Sequence, residues 1–494
     1  MYYKSTRNSD RKVTSAEAIA RGISEDGGLF VPERVPTLTD RDFSELCRSD
    51  YVSRAKNVLS RFLDDYTKDE LDECVKGAYT GTFDNDMPAP LVKLDGQTRV
   101  LELWHGPTCA FKDLALQLLP YLMTKAVRKT TGSNTVILVA TSGDTGKAAL
   151  EGFADVKGTD IIVFYPSDGV SSMQKRQMCT QKGSNVCVYG IKGNFDDAQT
   201  GVKKIFTDPD MISKLSENGY RFSSANSINW GRLVPQIVYY VSAYCDLLNS
   251  GDDLKDGFNV VVPTGNFGNI LAAYYAKMMG VPIARLICAS NENNVLTDFI
   301  TTGVYDKNRP FRTTSSPSMD ILVSSNLERL IYLLYGEDDA AVRELQGKLS
   351  EDGRYTVSDE VLSSLGRVFS AGCCNDEETY ETIEKYYRKY GYLADTHTAV
   401  ALKVYDDYVR KTGDGRVTVI ASTASPYKFA PSVLKALGEN AEGDDFSLLE
   451  KLSKATGTDI PEPLRKLGNA EIRFGGVCDK QDMPDVISEF LKLQ

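Results

Sequence analysis

Four stretches of this chain repeat one local pattern, a short run of apolar, mostly β-branched residues ending in a loop of Gly, Ser, Thr, Asn or Pro. They are residues 136–140 before TSGDTG, 161–165 before PSDG, 260–263 before TGNFGN and 417–421 before STASP. The runs do not alternate apolar with polar residues, so each reads as a strand covered on both faces, the habit of parallel sheets. Helix-like segments follow at least three of them. Residues 270–279, for example, are closed by Gly280, which suits a helix C-terminus. Repeated strand, loop and helix predict an α/β fold of open, mostly parallel sheets with flanking helices. Ligands of such sheets sit beyond the carboxyl ends of the strands, and here those ends carry the Gly-rich loops.

Length and charge narrow the function classes. The chain has 494 residues, with 57 Lys+Arg against 68 Asp+Glu and a net charge of −11. An acidic chain without a basic block is a poor match for nucleic acid or anionic lipid. No apolar run approaches the roughly 18 residues of a membrane span, and the opening residues have no signal-peptide core, so a cytoplasmic protein is expected. Ten cysteines include no C-x-x-C pair, and there are only 2 His, so no metal site is expected. Adjacent Cys373 and Cys374 read as reduced thiols.

Three units are expected. Residues 1–96 are mixed and charged, with helical stretches such as 42–63, and read as an N-terminal α/β-type unit. Residues 97–132 with 251–494 are assigned to a large domain and 133–250 to a small one. The stretch 326–416 reads as mostly helical, and 250–257 as an exposed connector.

The chemistry is carried by a few segments. In WHGPTCAFKD (104–113) a Gly-Pro turn leads into a helix, with Lys112 at its start. A lysine at the positive end of a helix, after an apolar pair, is a candidate for a depressed pKa and hence a nucleophile. An ordinary surface lysine beside a turn is the alternative. In TSGDTGK (141–147) backbone N–H groups and the hydroxyls of Ser142 and Thr145 could bind a carboxylate or phosphate. The segment fails the Walker pattern at Thr141 and Ala148. In PTGNFGN (263–269) the spacing fails the dinucleotide fingerprint but permits a nest for one phosphate. SSANSINWGR (223–232) places amides and hydroxyls before Arg232, which could bind phosphate through its fork or simply form a surface ion pair. STASP (422–426) ends the last strand with hydroxyls. His105 lies beside the Lys112 segment, and His397 starts a helix, where a structural role is the alternative.

Taken in order, these segments resemble the threonine synthase family over almost the whole chain. The openings at 3–7 (YKSTR) and 25–32 (EDGGLFVP) are similar to that family's start, and HGPTCAFKD, TSGDTGKAA, SSANSINWGR, PTGNFGN and STASP follow in its order. The resemblance is to the longer bacterial and fungal form. It implies a pyridoxal 5'-phosphate enzyme of fold type II, related to the tryptophan synthase β chain. It implies that Lys112 holds the cofactor as a Schiff base and that Gly265, Asn266, Phe267, Gly268 and Asn269 cradle its phosphate. Thr423 would face the pyridine nitrogen, with Ser422 as a neighbouring candidate. The implied substrate is O-phospho-L-homoserine, converted with water to L-threonine and phosphate, with Lys112 as base. The substrate carboxylate would rest on backbone amides of Ser142, Gly143, Asp144 and Thr145. Its phosphate would be met by Ser223, Asn226, Arg232 and, as a further candidate, Lys147. Many relatives have His where Ser425 stands. A serine or threonine dehydratase, or a silent homologue binding a phospho-ligand, is the rival reading; the protein is expected to act as a monomer or homodimer.

Overall fold

A computed structural model describes residues 1–493 apart from 85, 86, 142 and 169, with only the backbone of 195 and 196. The N-terminal unit is a small antiparallel sheet in the order Asn8–Val13, Tyr3–Ser5, Phe30–Pro32, followed by helices Asp40–Cys47, Tyr51–Phe62 and Lys68–Tyr79. The helical stretch expected over 42–63 is therefore two helices. Asp50 breaks it, because its carboxylate accepts the Ser53 N–H (2.7 Å) and caps the second helix.

The larger sheet runs Phe369–Cys373, Ile283–Ser290, Phe258–Pro263, Thr418–Ser422, Thr98–Glu102, Leu91–Lys93. All neighbours are parallel except the last pair. The second sheet is parallel throughout, in the order Val477–Cys478, Val186–Ile191, Thr159–Pro166, Asn134–Ala140, Tyr220–Ser223. Phe258–Pro263 is buried at every position. Helices on both faces cover it, which is why the run shows no alternation. The expected strands thus fall two in each sheet.

Sheet membership and packing depart from the division expected at 96, before 250 and within 251–494. Leu91–Lys93 is an edge strand of the larger sheet. Val477–Cys478 and helix Met483–Leu491 belong with the second sheet, where Met483 and Ile487 pack on Val136, Leu138 and Ile162. Helix Trp230–Asn249 packs against Tyr51–Phe62 and Gly268–Met278. Its Trp230 ring lies 5.3 Å from Tyr3, 5.7 Å from Phe62 and 5.4 Å from Tyr275, joining the N-terminal unit to the larger sheet. Residues 326–416 are mainly helical, but Phe369–Cys373 (FSAGC) pairs with Ile283–Ser290. Its small, polar residues hide a strand that tertiary pairing recruits.

One close approach couples the second sheet to the Lys112 turn. A Cβ at Gly152, in helix Asp144–Phe153, would lie 2.0 Å from the Leu116 carbonyl oxygen. Gly152→Ala should therefore lower unfolding stability by about 1–3 kcal/mol in denaturant titrations. Gly347→Ala, in a helix where a Cβ meets nothing within 4 Å, should raise it by about 0.5–1 kcal/mol.

Candidate active site

The loops at the carboxyl ends of strands from both sheets converge on Lys112. Its own segment is stapled to the STASP loop: Phe111 N–H donates to the Thr423 carbonyl (2.8 Å), Ser425 N–H to the Cys109 carbonyl (3.1 Å), and Ala110 bridges Ala424. Asp113 accepts from the N–H (2.8 Å) and hydroxyl (2.6 Å) of Thr108, closing the turn that delivers Lys112. Burial pushes the Asp113 carboxyl up to about 6, against the pull of those bonds.

Lys112 Nζ is nearly buried. It lies 3.4 Å from Ser318 Oγ and 3.7 Å from Asp144 Oδ2. Burial lowers its pKa first of all. Asp144 pulls it back up, while Lys428 and Arg232 push it down. The turn geometry expected of the sequence is present, and so is the buried environment that makes an amine a nucleophile.

Asp144 opens helix Asp144–Phe153 and stands among four partners. Lys428 Nζ is 2.8 Å from its Oδ1, Gln174 Nε2 donates to Oδ1 (3.1 Å), and Ser318 Oγ donates to Oδ2 (3.4 Å), with Lys112 beyond. Burial works against the charged carboxyl, but Lys428 and Lys112 outweigh it and hold the group well below the usual carboxylate range. Gly143 has φ 141°, and a Cβ there would strike Gln174 at 2.3 Å; only glycine fits. Of the four residues expected to present amides to a carboxylate, Ser142 lies outside the described residues. Gly143 is not available, because its N–H donates to Thr141 Oγ1 (3.0 Å), which also takes Gly146 N–H (2.9 Å). Thr141 rigidifies the loop and leaves the N–H groups of Asp144 and Thr145 at the helix N-terminus.

The 265–269 loop is held from behind. Ser324 Oγ donates to the Gly265 carbonyl (2.7 Å), and Asn326 donates to the Asn266 carbonyl through both N–H (3.1 Å) and Nδ2 (3.0 Å). Phe267 takes the left-handed conformation, φ 64°, and helix Gly268–Met278 starts behind it. With the carbonyls claimed outside, no acceptor is found among the described residues for the N–H groups of Gly265, Asn266 and Phe267. Asn269 Oδ1 accepts from Tyr239 (2.8 Å) and Tyr240 (2.5 Å), and its buried Nδ2 has no partner. A Cβ at Gly265 would meet the Ser318 carbonyl oxygen at 2.6 Å, so this loop and the Lys112 neighbourhood touch.

Arg232 is buried on helix Trp230–Asn249. It donates to the Ala225 carbonyl (2.6 Å), leaves Nε without a partner and faces no carboxylate among the described residues. Burial pulls it down to about 10, still a cation at neutral pH. The rest of that segment is less available than expected. Ser223 Oγ donates to the Ala20 carbonyl (2.9 Å), and Asn226 is exposed with its Oδ1 on Ser227 N–H. Lys147 is turned away, bonded to Glu151 (2.7 Å) and Gln181. Ser422 Oγ is taken by Trp104 Nε1 (3.1 Å), Thr398 Oγ1 (3.0 Å) and Tyr392 (3.4 Å). The Thr423 hydroxyl has no hydrogen-bond partner among the described residues. His105 binds Glu102 (2.8 Å) and stacks on Trp104. His397 holds Asp395 through Nδ1 (2.9 Å) and accepts Ser318 N–H at Nε2 (3.2 Å).

Ser318, Gln174 and Lys428 escape sequence reasoning. Ser318 sits in SSPSM, which has no strand-loop-helix signature. Lys428 does leave a trace, a lone lysine in the otherwise uncharged SPYKFAP.

Family models match along the chain: "Threonine synthase N terminus" at residues 2–79, "Pyridoxal-phosphate dependent enzyme" at 84–423 and "Threonine synthase, C-terminal" at 398–486. The chain is 43% identical over 433 residues to "Threonine synthase-like 1" of Homo sapiens, covering 85% of this chain but 58% of that protein's length. It is 40% identical to the threonine synthase of Pseudomonas aeruginosa, covering 88% of this chain and 90% of that one. The pyridoxal-phosphate-bound threonine synthase structure from Brucella melitensis superposes with a TM-score of 0.88 at 38% identity, covering 100% and 99% of the two chains.

The raised Asp113 carboxyl binds a proton more tightly folded than unfolded. It therefore adds stability that is full below its unfolded pKa near 4 and is lost as pH rises through about 6. Measured against Asp113→Asn, wild-type unfolding free energy should fall by up to about 3 kcal/mol across that window.

Proposed function

Because the chain belongs to the threonine synthase family of pyridoxal-phosphate-dependent enzymes, we propose that it converts O-phospho-L-homoserine and water to L-threonine and phosphate. One observation carries this reading: a buried lysine stands beside two separate sets of unclaimed donors. One set is the N–H groups of the 265–269 loop with Asn269 Nδ2; the other is the guanidinium of Arg232, bonded to one carbonyl and with Nε unpartnered among the described residues. A cofactor and a substrate that each bring one phosphate need two such sets, whereas a dehydratase leaves the second without use.

The residues fit the cofactor. Lys112 would hold its aldehyde, the 265–269 amides its phosphate and Thr423 its pyridine nitrogen. Thr423 is preferred to Ser422 because the Ser422 hydroxyl is already bonded to Trp104 and Thr398. Bound there, pyridoxal phosphate supplies an electron sink for negative charge developing on the substrate carbons.

The chain's own residues do the rest. The N–H groups of Asp144 and Thr145 receive the substrate carboxylate at a helix N-terminus. Arg232 receives the substrate phosphate in its fork and holds the leaving group as it departs from Cγ. Lys112 Nζ, its pKa lowered by burial, takes the proton at Cα and then one at Cβ. Ser318 Oγ, in reach of both Lys112 and Asp144, orients the amine between these transfers. Ten cysteines, all free thiols, support a reducing cytoplasmic setting. Among the described residues no helix is long and apolar enough to cross a membrane.

Purified protein loaded with pyridoxal phosphate should form threonine and phosphate in equal amounts from O-phospho-L-homoserine, and Lys112→Ala should abolish both. Phosphate accompanied by 2-oxobutyrate would move the assignment to a dehydratase, and no turnover despite bound cofactor would leave a silent homologue. Inorganic phosphate at a hundredfold excess over its Kd should stabilise the wild type by about 2.7 kcal/mol. Arg232→Met should lose that gain in thermal unfolding and raise KM for the phosphorylated substrate.

A further inference from the structure

Three ionisable side chains sit in a row with little access to water. The side chains of Lys428, Asp144 and Lys112 are 1%, 5% and 11% exposed. Buried charges persist only where they are compensated, and one carboxylate cannot compensate two ammonium groups. Which amine it serves is set by geometry. Lys428 Nζ makes two short contacts, 2.8 Å to Asp144 Oδ1 and 2.9 Å to the Thr108 carbonyl. Lys112 Nζ makes none among the described residues, where its polar neighbours are Ser318 Oγ at 3.4 Å and Asp144 Oδ2 at 3.7 Å. Gln174 and Ser318 occupy further acceptor positions on Asp144. The other charges that face Lys112 are Arg232, a cation without a carboxylate partner, and Asp113, whose carboxyl is bound to Thr108.

We infer that Lys428 is a positioning residue, the permanent counter-cation of Asp144, and that by claiming this carboxylate it leaves Lys112 an uncharged amine free to take up the cofactor and carry protons. Without Lys428, Asp144 would turn to Lys112, the other ammonium paired with it among the described residues, and Lys112 would be locked into an ion pair with its proton retained. Arrangement and sequence agree: Lys428 stands two residues after STASP, and the backbone staple between that loop and residues 109–111 brings it beneath the Lys112 turn. The inference rests on the reading of Lys112 as the cofactor lysine.

The test follows Lys112 itself in the full-length protein. Trace labelling with acetic anhydride, read as the mass of the Lys112 peptide, gives the pH midpoint at which the amine loses its proton. Capture of pyridoxal phosphate at Lys112, fixed by borohydride, gives the functional counterpart. Lys428→Met should raise the labelling midpoint by about one pH unit or more and slow capture near neutral pH about tenfold. Lys428→Arg should stay with the wild type. Adding Asp144→Asn to Lys428→Met should cancel the shift, since the competing carboxylate is gone. Asp144→Asn alone should lower the midpoint, which keeps the test decisive if Lys428→Met does not fold. An unchanged midpoint in folded Lys428→Met, a shift that survives in the double variant, or no fall in Asp144→Asn alone would overturn the inference. Absence of pyridoxal capture by the wild type would instead overturn the functional reading, while the labelling midpoints still decide the role of Lys428.

Discussion

A carboxylate with almost no access to water has to be neutralised by what surrounds it, and at Asp144 that requirement organises the centre of the molecule. The groups that meet it come from distant parts of the chain: Lys428 after the strand Thr418–Ser422 of the larger sheet, Gln174 from the second sheet's side, Ser318 from the single 3-10 turn Pro317–Met319. Each can reach the carboxylate only if the two sheets are docked as they are. The close approach of Gly152 to the Leu116 carbonyl fixes that docking at the backbone level. Electrostatics and packing therefore constrain the same interface, and Lys112 sits on it.

The anion-binding features follow a second common rule: donors are left free because the acceptors around them are engaged elsewhere. Ser324 and Asn326 draw the Gly265 and Asn266 carbonyls outward, so the 265–269 loop turns its N–H groups inward. Thr141 does the opposite in the 141–146 loop, using its hydroxyl to consume two N–H groups and leaving the helix N-terminus to act. Arg232 is the limiting case, a buried cation with one carbonyl and an unpartnered Nε. A protein tolerates such a group where a ligand supplies the missing charge.

Much of this was legible in the chain. The four apolar runs are strands, the loops after three of them gather at the site, and Lys112, Arg232 and the 265–269 segment stand there because their spacing is tied to local backbone geometry. The misses have a shared cause. Phe369–Cys373 lacks an apolar strand pattern and exists because a neighbouring edge pairs with it. Leu91–Lys93 pairs with Thr98–Glu102 across the boundary expected at 96, and Val477–Cys478 joins the second sheet far from where sequence order would put it. Ser223, Asn226 and Lys147 have suitable chemistry, but Ala20, Ser227 and the Glu151–Gln181 pair already occupy them.

By itself the sequence determined the fold class, the loops that end the strands and the lysine at a helix start, since each depends on residues within a few positions of one another. Tertiary structure alone decided which of several polar side chains are free to meet a ligand, which of two neighbouring hydroxyls is unoccupied, and which of two buried lysines lies in close contact with Asp144. Those outcomes depend on competition for partners between residues hundreds of positions apart, as with Lys428 and Thr108 or Lys112 and Ser318. Composition and local spacing carry no record of that competition, because it begins only when burial removes water as the alternative partner.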